Sequence, residues 1–296
     1  MIVTTGQTPW QRLLADYGDS RIAVAALALL ALILAAALFA PLVSPQNPYD
    51  LSQLDVLDAR LPPGATSGDG RHVYVLGTDD QGRDMLSAIL YGLRTSMLVG
   101  MLSTLAGLAI GLTAGLIAAW FGGWLDALIM RVADLQLSFP SVLIALVLLA
   151  VLGQGVDKII IALVAVQWAY YARTVRGTAL AERNKDYITA ATGLALSPAR
   201  IMLRHLLPNC LPPLIVVATV QIAAAIALEA TLSFLGLGLS ITEPSLGLLI
   251  ANGFAYLQSG KYWISFFPGV ALMLAIVSIN LVADQLRDAL NPRLQK

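Results

Sequence analysis

The chain has 296 residues, 58% of them hydrophobic and only 12% charged, with a mean hydropathy of +0.77. A water-soluble domain carries about 25% charged residues, so this chain lacks the polar surface to be globular in water and must use the bilayer as solvent. The formal net charge of +0 gives no polyelectrolyte argument for nucleic acid, and the single cysteine, Cys210, excludes an internal disulfide and reads as a small apolar packing residue.

Residues 1–21 are polar, with Trp10, Leu13, Leu14 and Tyr17 at helical spacing beside Arg12 and Arg21. They read either as a short helix on the membrane surface or as a frayed tail. Residues 22–43 are apolar throughout, too long for a signal-peptide core and without a cleavage site, so an uncleaved first span is predicted there. Residues 44–93 are rich in Pro, Gly and Asp, with Asp50, Asp55, Asp58, Asp69, Asp79, Asp80 and Asp84 against Arg60, Arg71 and Arg83. A loop poor in Lys and Arg belongs outside the cytoplasm. Its end, Gly77 to Asp84, predicts a tight turn with Asx-type hydrogen bonds. Metal ligation there is disfavoured, because the acids lack the alternate spacing and terminal Glu of a calcium loop.

Thr95 to Phe121 is the second predicted span, and Gly107, Gly111 and Gly115 recur on one face of it. Small residues at that spacing let helix backbones approach closely in lipid. The third, Leu125 to Leu152, carries Asp126, Arg131 and Asp134 in its first half and Pro140 midway. Its acids either pair with Arg131 inside the bundle or lie on a helix end that extends into water, the reading preferred here. Ile159 to Val175 is the fourth span and ends in Arg173 and Arg176, where cytoplasmic arginines are expected. Leu211 to Leu235 is the fifth and contains Glu229. Gly236 to Tyr262 reads as an external, turn-rich loop. Trp263 to Val282 is the sixth, with Tyr262 and Trp263 placed as an interfacial aromatic belt. The tail, residues 284–296, carries Arg287, Arg293 and Lys296. An even number of spans puts both termini on one side, and the Arg and Lys bias makes that side cytoplasmic. The predicted fold class is therefore an all-α, polytopic membrane protein with six transmembrane helices.

Between the fourth and fifth spans lies a polar stretch, residues 182–209, dense in basic side chains. It predicts two short helices broken near Ser197-Pro198. Asp186 opens the first, which places Tyr187, Ala190, Ala191 and Leu194 at helical spacing. Ser197 suits an N-cap and Pro198 the first helical turn, and the second helix is expected to run toward Pro208. Arg200 and Arg204 lie four apart on it. The pair of helices is either a surface for another protein to grip or an ordinary cytoplasmic loop.

Covalent chemistry finds no support. The two histidines, His72 and His205, fall on opposite sides of the membrane in this topology, and no H-E-x-x-H, C-x-x-C or P-loop sequence occurs. Glu229 is the one acid in the fifth span, with two readings: a contact on a translocation path, or a helix-packing hydrogen bond.

Residues 186–209, D-Y-I-T-A-A-T-G-L-A-L-S-P-A-R-I-M-L-R-H-L-L-P-N, resemble the coupling loop of ABC-importer membrane subunits. L-G-T-D-D-Q-G-R-D at 76–84, F-L-G-L-G at 234–238 and L-R-D-A-L-N-P at 286–292 resemble the dipeptide/oligopeptide/nickel permease branch, in particular its second, or C, subunit. These motifs run from residue 76 to 292 in fixed order. The resemblance implies a permease core over 94–283 in a bacterial inner membrane, surrounded by membrane lipid. It also implies a paralogous permease partner, cytoplasmic ATP-binding subunits and an extracytoplasmic substrate-binding protein, with no cofactor of its own. It implies ATPase coupling through Asp186, Tyr187, Ala190, Ala191, Leu194, Arg200 and Arg204, and transport of short peptides, with nickel, glutathione or opines as alternatives. A self-sufficient secondary carrier is the rival, but no inverted repeat is visible. The chain departs from the loop pattern at Thr189, at His205, and at Ala195, where a turn glycine is usual; Asn291 departs in the tail. Ala195 bears on turn geometry, since a Cβ resists positive φ, and Gly193 is the residue expected to absorb the bend.

Overall fold

In a computed structural model, residues 17–18, 20–240 and 242–290 are described. The expected surface helix around Trp10 to Leu14 and the tail residues 291–296, including Asn291, Arg293 and Lys296, lie outside them.

The apolar runs fold as helices, because a backbone in hydrocarbon must satisfy its own N–H and C=O groups. Helix α1 spans Arg21–Leu38, capped by the Ser20 side chain accepting from the Ala23 N–H at 3.3 Å. A short turn of helix, α2 (Ala40–Val43), follows it. A two-stranded antiparallel ribbon, β1 (Ala65–Thr66) and β2 (Val73–Tyr74), sits in the polar loop, with Ala65 opposite Tyr74 and Thr66 opposite Val73. Helix α3 spans Met85–Phe121, α4 Gly123–Leu137, α5 Ser141–Leu152 and α6 Val156–Arg183. Then come α7 (Asp186–Gly193), α8 (Pro198–Ile201), α9 (Leu207–Phe234), α10 (Leu246–Phe254) and α11 (Trp263–Leu290).

Several boundaries differ from expectation for local reasons. Helix α3 starts ten residues before the expected span, because Asp84 caps it: its carboxylate accepts from the Ser87 N–H at 2.7 Å. The third span is not one helix. Helices α4 and α5 meet at 92° across Ser138 to Pro140, since proline supplies no N–H and forces the preceding Phe139 out of the helical region. The segment 236–262 is not all loop. Its L-G-L-L-I-A-N-G-F run forms α10, whose Leu246, Gly247, Leu248, Leu249 and Gly253 are buried. Helix α11 continues through Leu290, past the expected start of the tail at 284.

Four helical stretches among the described residues are long and apolar enough to cross a membrane: Arg21–Leu38, Met85–Phe121, Pro198–Phe234 and Trp263–Leu290. The bent pair α4–α5 adds a fifth if it is one span. Helix α6, 28 residues or about 42 Å long at 1.5 Å per residue, has the length but carries charges at both ends.

The central contact is α3 against α6, and the glycine stripe makes it possible. A Cβ on Gly111 would lie 2.4 Å from the Trp168 carbonyl oxygen and 2.5 Å from Tyr171 Cβ. On Gly115 it would lie 2.6 Å from the Ala172 carbonyl oxygen. Toward the polar loop, a second core joins α1, α3, α9, α10 and α11 around Met85, Ile89, Ile226, Leu246 and Ile264. Trp263 belongs to that core and not to an exposed belt. It is 7% exposed, and its Nε1–H donates to the Thr78 carbonyl at 3.2 Å. The expected Asx turn is present: Asp79 Oδ1 accepts from the N–H groups of Gln81 and Arg83, each at 2.9 Å. It encloses a buried ion pair, Arg83 Nε to Asp79 Oδ2 at 2.6 Å.

Gly111→Leu should push α3 from α6 and lower stability by about 1–3 kcal/mol or more, seen as a depressed thermal unfolding midpoint in detergent. Gly177→Ala on α6, where a Cβ meets nothing within 4 Å, should leave the midpoint unchanged or raise it slightly.

Candidate functional site

The polar stretch 182–209 folds as a helical hairpin at one end of the bundle. Helix α7 begins at Asp186 and ends where Ala195 takes φ +56. The left-handed corner therefore falls on a residue with a Cβ, while Gly193, expected to absorb the bend, stays inside α7. Ser197 precedes Pro198 with extended backbone, but its side chain makes no capping hydrogen bond. The second helix does not stop at Pro208. Helix α8 passes through a π-turn, Met202–Leu206, directly into α9, with the Leu207 N–H donating to the Met202 carbonyl five residues back. Such wide turns are found mostly as single bulges and often at functional sites.

The hairpin has two faces. Ile188, Ala191, Ile201 and Leu206 are buried against Leu116 and Ala119 of α3, Val175 and Ala179 of α6, and Cys210 and Leu214 of α9. Ala191, at 5% exposure, thus packs on the chain's own helices, contrary to its expected place on the outer face. Asp186, Tyr187, Ala190, Leu194, Arg200 and Arg204 are exposed; Leu194 is 76% accessible.

Hydrogen bonds tie the hairpin to its flanks. The Tyr187 hydroxyl donates to Glu182 Oε2 at 2.6 Å, and Lys185 Nζ donates to Glu182 Oε1, also at 2.6 Å. Asn209 Nδ2 donates to the Tyr187 hydroxyl at 3.1 Å and to the His205 carbonyl at 2.8 Å. Lys185 first and the Tyr187 hydroxyl second hold the Glu182 carboxyl below its ordinary range. Partial burial and the carboxylate it faces push the Tyr187 phenol up to about 12, so it remains a donor at neutral pH. Arg183 closes the end of α3, donating to the Ala119 carbonyl at 2.9 Å with its guanidinium over Trp120 at 5.5 Å. Sequence reading assigned no role to Glu182 or Asn209. The former is five residues from Tyr187 and the latter twenty-two, so neither distance is a helical or strand period.

The acids of α4 pair across to α6 and not with Arg131. Asp126 takes Arg176 through both oxygens, at 2.5 and 2.6 Å, and Asp134 takes Arg173. Gln136 fastens the same two helices, donating to the carbonyls of Ala165 at 2.7 Å and Val166 at 2.8 Å and accepting from Trp168 Nε1–H at 2.6 Å.

Glu229 is fully buried between α3, α9 and the start of α10. Ser96 donates to its Oε2 at 2.7 Å and Ser233 to its Oε1 at 2.8 Å, with Ser245 a further hydrogen-bonding neighbour. The packing reading is the one this geometry matches. A separate cleft of about 680 Å³ opens between α9 and α11, lined by Asn209, Pro212, Val216, Gln221, Asp284 and Arg287, and Glu229 does not reach it.

Glu229→Ala should strand the hydroxyls that now bond the carboxylate and cost about 1–3 kcal/mol, whereas Glu229→Gln, which keeps an acceptor, should retain most of the stability. Thermal midpoints of the two variants in detergent distinguish them.

Comparison with known proteins agrees with this architecture. Residues 111–296 match the family described as binding-protein-dependent transport system inner membrane component. Residues 8–63 match the N-terminal TM domain of oligopeptide transport permease C. The dipeptide transport system permease protein DppC of Escherichia coli (strain K12) is 40% identical over 289 residues, covering 98% of this chain and 95% of its own length. The di/tripeptide transport system permease protein DppC of Pseudomonas aeruginosa (strain UCBPP-PA14) is 36% identical over 286 residues, covering 97% and 91%. A chain of the inward-facing MetNI methionine ABC transporter shares the fold at a TM-score of 0.58 and 20% identity, covering 70% of this chain and 98% of that one. Membership implies ATP-binding subunits, which carry out the hydrolysis, and a substrate-binding protein. The chain belongs to the family of binding-protein-dependent transport system inner-membrane components, and is itself a permease subunit of an ABC importer and not an enzyme.

Proposed function

We propose that this chain is the C-type permease subunit of a short-peptide importer in a bacterial inner membrane, forming the translocation path with a paralogous permease subunit by alternating access. The observation that carries the substrate class is likeness, across nearly the whole chain, to permeases named for dipeptides and di/tripeptides. Helix α6 and the bent pair α4–α5 join the four long apolar helices to make six spans. The excess of Arg and Lys over 173–204 supports a cytoplasmic hairpin, with both termini on the same side.

In this reading the outer face of the hairpin receives the ATP-binding subunits. Tyr187 and Leu194 offer apolar anchors flanking the small Ala190, with Asp186, Arg200 and Arg204 as a polar rim. The inner face, including Ala191, fixes the hairpin to α3, α6 and α9, so a push on the outer face moves packed helices and not a loose loop.

Ala190→Arg should leave the membrane subunit folded and reduce its co-purification with the ATP-binding subunits about tenfold or more. Dipeptide-stimulated ATP hydrolysis in proteoliposomes should fall in step. Ala191→Arg should differ, because it forces a charge into the inner packing; here the hairpin itself becomes sensitive to protease. Normal assembly and stimulation in Ala190→Arg would remove the hairpin from the docking surface. A wild-type complex that hydrolyses ATP without moving di- or tripeptides would remove the substrate class.

Topology has its own check. Leu57, 89% exposed, and Leu194 can each be made cysteine in a Cys210→Ser background. An impermeant thiol reagent should label position 57 in intact cells and position 194 only after lysis.

A further inference from the structure

Along the chain, α7 reaches α9 only through deformable segments. The route passes a left-handed corner at Ala195, one helical turn in α8 and the π-turn Met202–Leu206. Prolines then follow at 208, 212 and 213. Because proline has no N–H, the carbonyls of Arg204, Pro208 and Asn209 lack the donor that an α-helix would supply four residues on. A helix entrance with a wide turn and missing rungs bends more readily than a regular one.

Beside the apolar packing of Ile188 and Ala191 on the bundle, one polar side-chain contact bypasses the whole detour. The Tyr187 hydroxyl sits between Glu182 in the last turn of α6 and Asn209 in the first turn of α9. Both neighbours are fixed by a second bond, Glu182 by Lys185 and Asn209 by the His205 carbonyl. Asn209 also lines the cleft between α9 and α11. The ring of Tyr187 is partly exposed at 37%, so a phenylalanine fits the same place and only the hydroxyl is lost.

We propose that the Tyr187 hydroxyl, clasped by Glu182 and Asn209, is the positioning contact that carries hairpin movement directly into α9 and its cleft, an inference that rests on the docking of ATP-binding subunits proposed above. Displacement of α7 then shifts α6 and α9 together, and the π-turn deforms without absorbing the stroke. Tyr187 and Asn209 are positioning residues, since neither needs to touch the transported molecule.

The test uses the full complex in proteoliposomes, with dipeptide uptake and ATP hydrolysis measured in the same sample. Asn209→Ala should assemble and hydrolyse ATP but carry about five- to tenfold less dipeptide per ATP. Tyr187→Phe should lower the same ratio to a similar degree. The double variant should fall no further than either single one, because both remove one linkage. Glu182→Gln, which still accepts the hydroxyl, should keep the ratio near wild type. Wild-type ratios in Asn209→Ala and Tyr187→Phe overturn the proposal, as does a double variant whose losses multiply. Failure of Tyr187→Phe to assemble also overturns it, since the hydroxyl would then be holding the fold. If Ala190→Arg still docks the ATP-binding subunits, the underlying reading fails; if Ala190→Arg loses docking while Tyr187→Phe transports normally per ATP, only this inference fails.

Discussion

Everything in the bundle depends on how closely α3 and α6 approach. In a bilayer the lipid tails are as apolar as leucine, so burying apolar side chains gives helices no reason to associate. Dispersion contacts and hydrogen bonds between helices must do it, and both fall off steeply with distance. Gly111 and Gly115 remove the atoms that would hold the two backbones apart: a Cβ there would lie 2.4 to 2.7 Å from α6 atoms. Once that seam is closed, α6 presents Arg173 and Arg176 to α4, and Trp168 and its neighbouring carbonyls to Gln136. The same seam brings Leu116, Ala119, Val175 and Ala179 together as the platform on which the hairpin rests.

That platform gives the hairpin its mechanical character. A short helix of eight residues is marginal in isolation, and α7 is held by Ile188 and Ala191 packing inward and by Tyr187 bonding on both flanks. The left-handed Ala195 is a local cost that this surrounding packing sustains. The result is a hairpin whose inner side is packed on α3, α6 and α9 and whose outer side is left free of that packing. At the opposite end, Trp263 and the Asp79–Arg83 turn fasten the polar loop to α11 and α3, so both ends of the bundle are pinned by polar contacts.

Three local or periodic signals in the chain corresponded to structure, whereas contacts between distant residues left no signal in it. The glycine stripe, the break before Pro198 and the Asx turn at Asp79 each depend on residues within a few positions of one another. The partners of Asp126 and Asp134 were not legible, because Arg131 shares their helix while Arg173 and Arg176 lie about forty to fifty residues on. Ala191 was grouped with Tyr187, Ala190 and Leu194 because it stands three or four positions from two of them, yet it stands three from Ile188 as well, and that is the pair the bundle buries. Trp263 had the position of an interfacial aromatic, yet its indole N–H finds a carbonyl 185 residues away.

By itself the sequence determined the solvent, the class and the family: too few charges for water, runs long enough to span, and motifs in a fixed order from 76 to 292. It also determined where α-helical hydrogen bonding must fail, because a missing N–H at Pro140, Pro208, Pro212 or Pro213 is a covalent fact. Only the tertiary structure decided which side of the hairpin faces the bundle, that Glu229 is enclosed by serines from separate elements, and that Tyr187 meets Asn209. Those outcomes depend on helix rotation and on contacts between residues far apart in the chain, which side-chain chemistry permits in many combinations and close packing resolves into one.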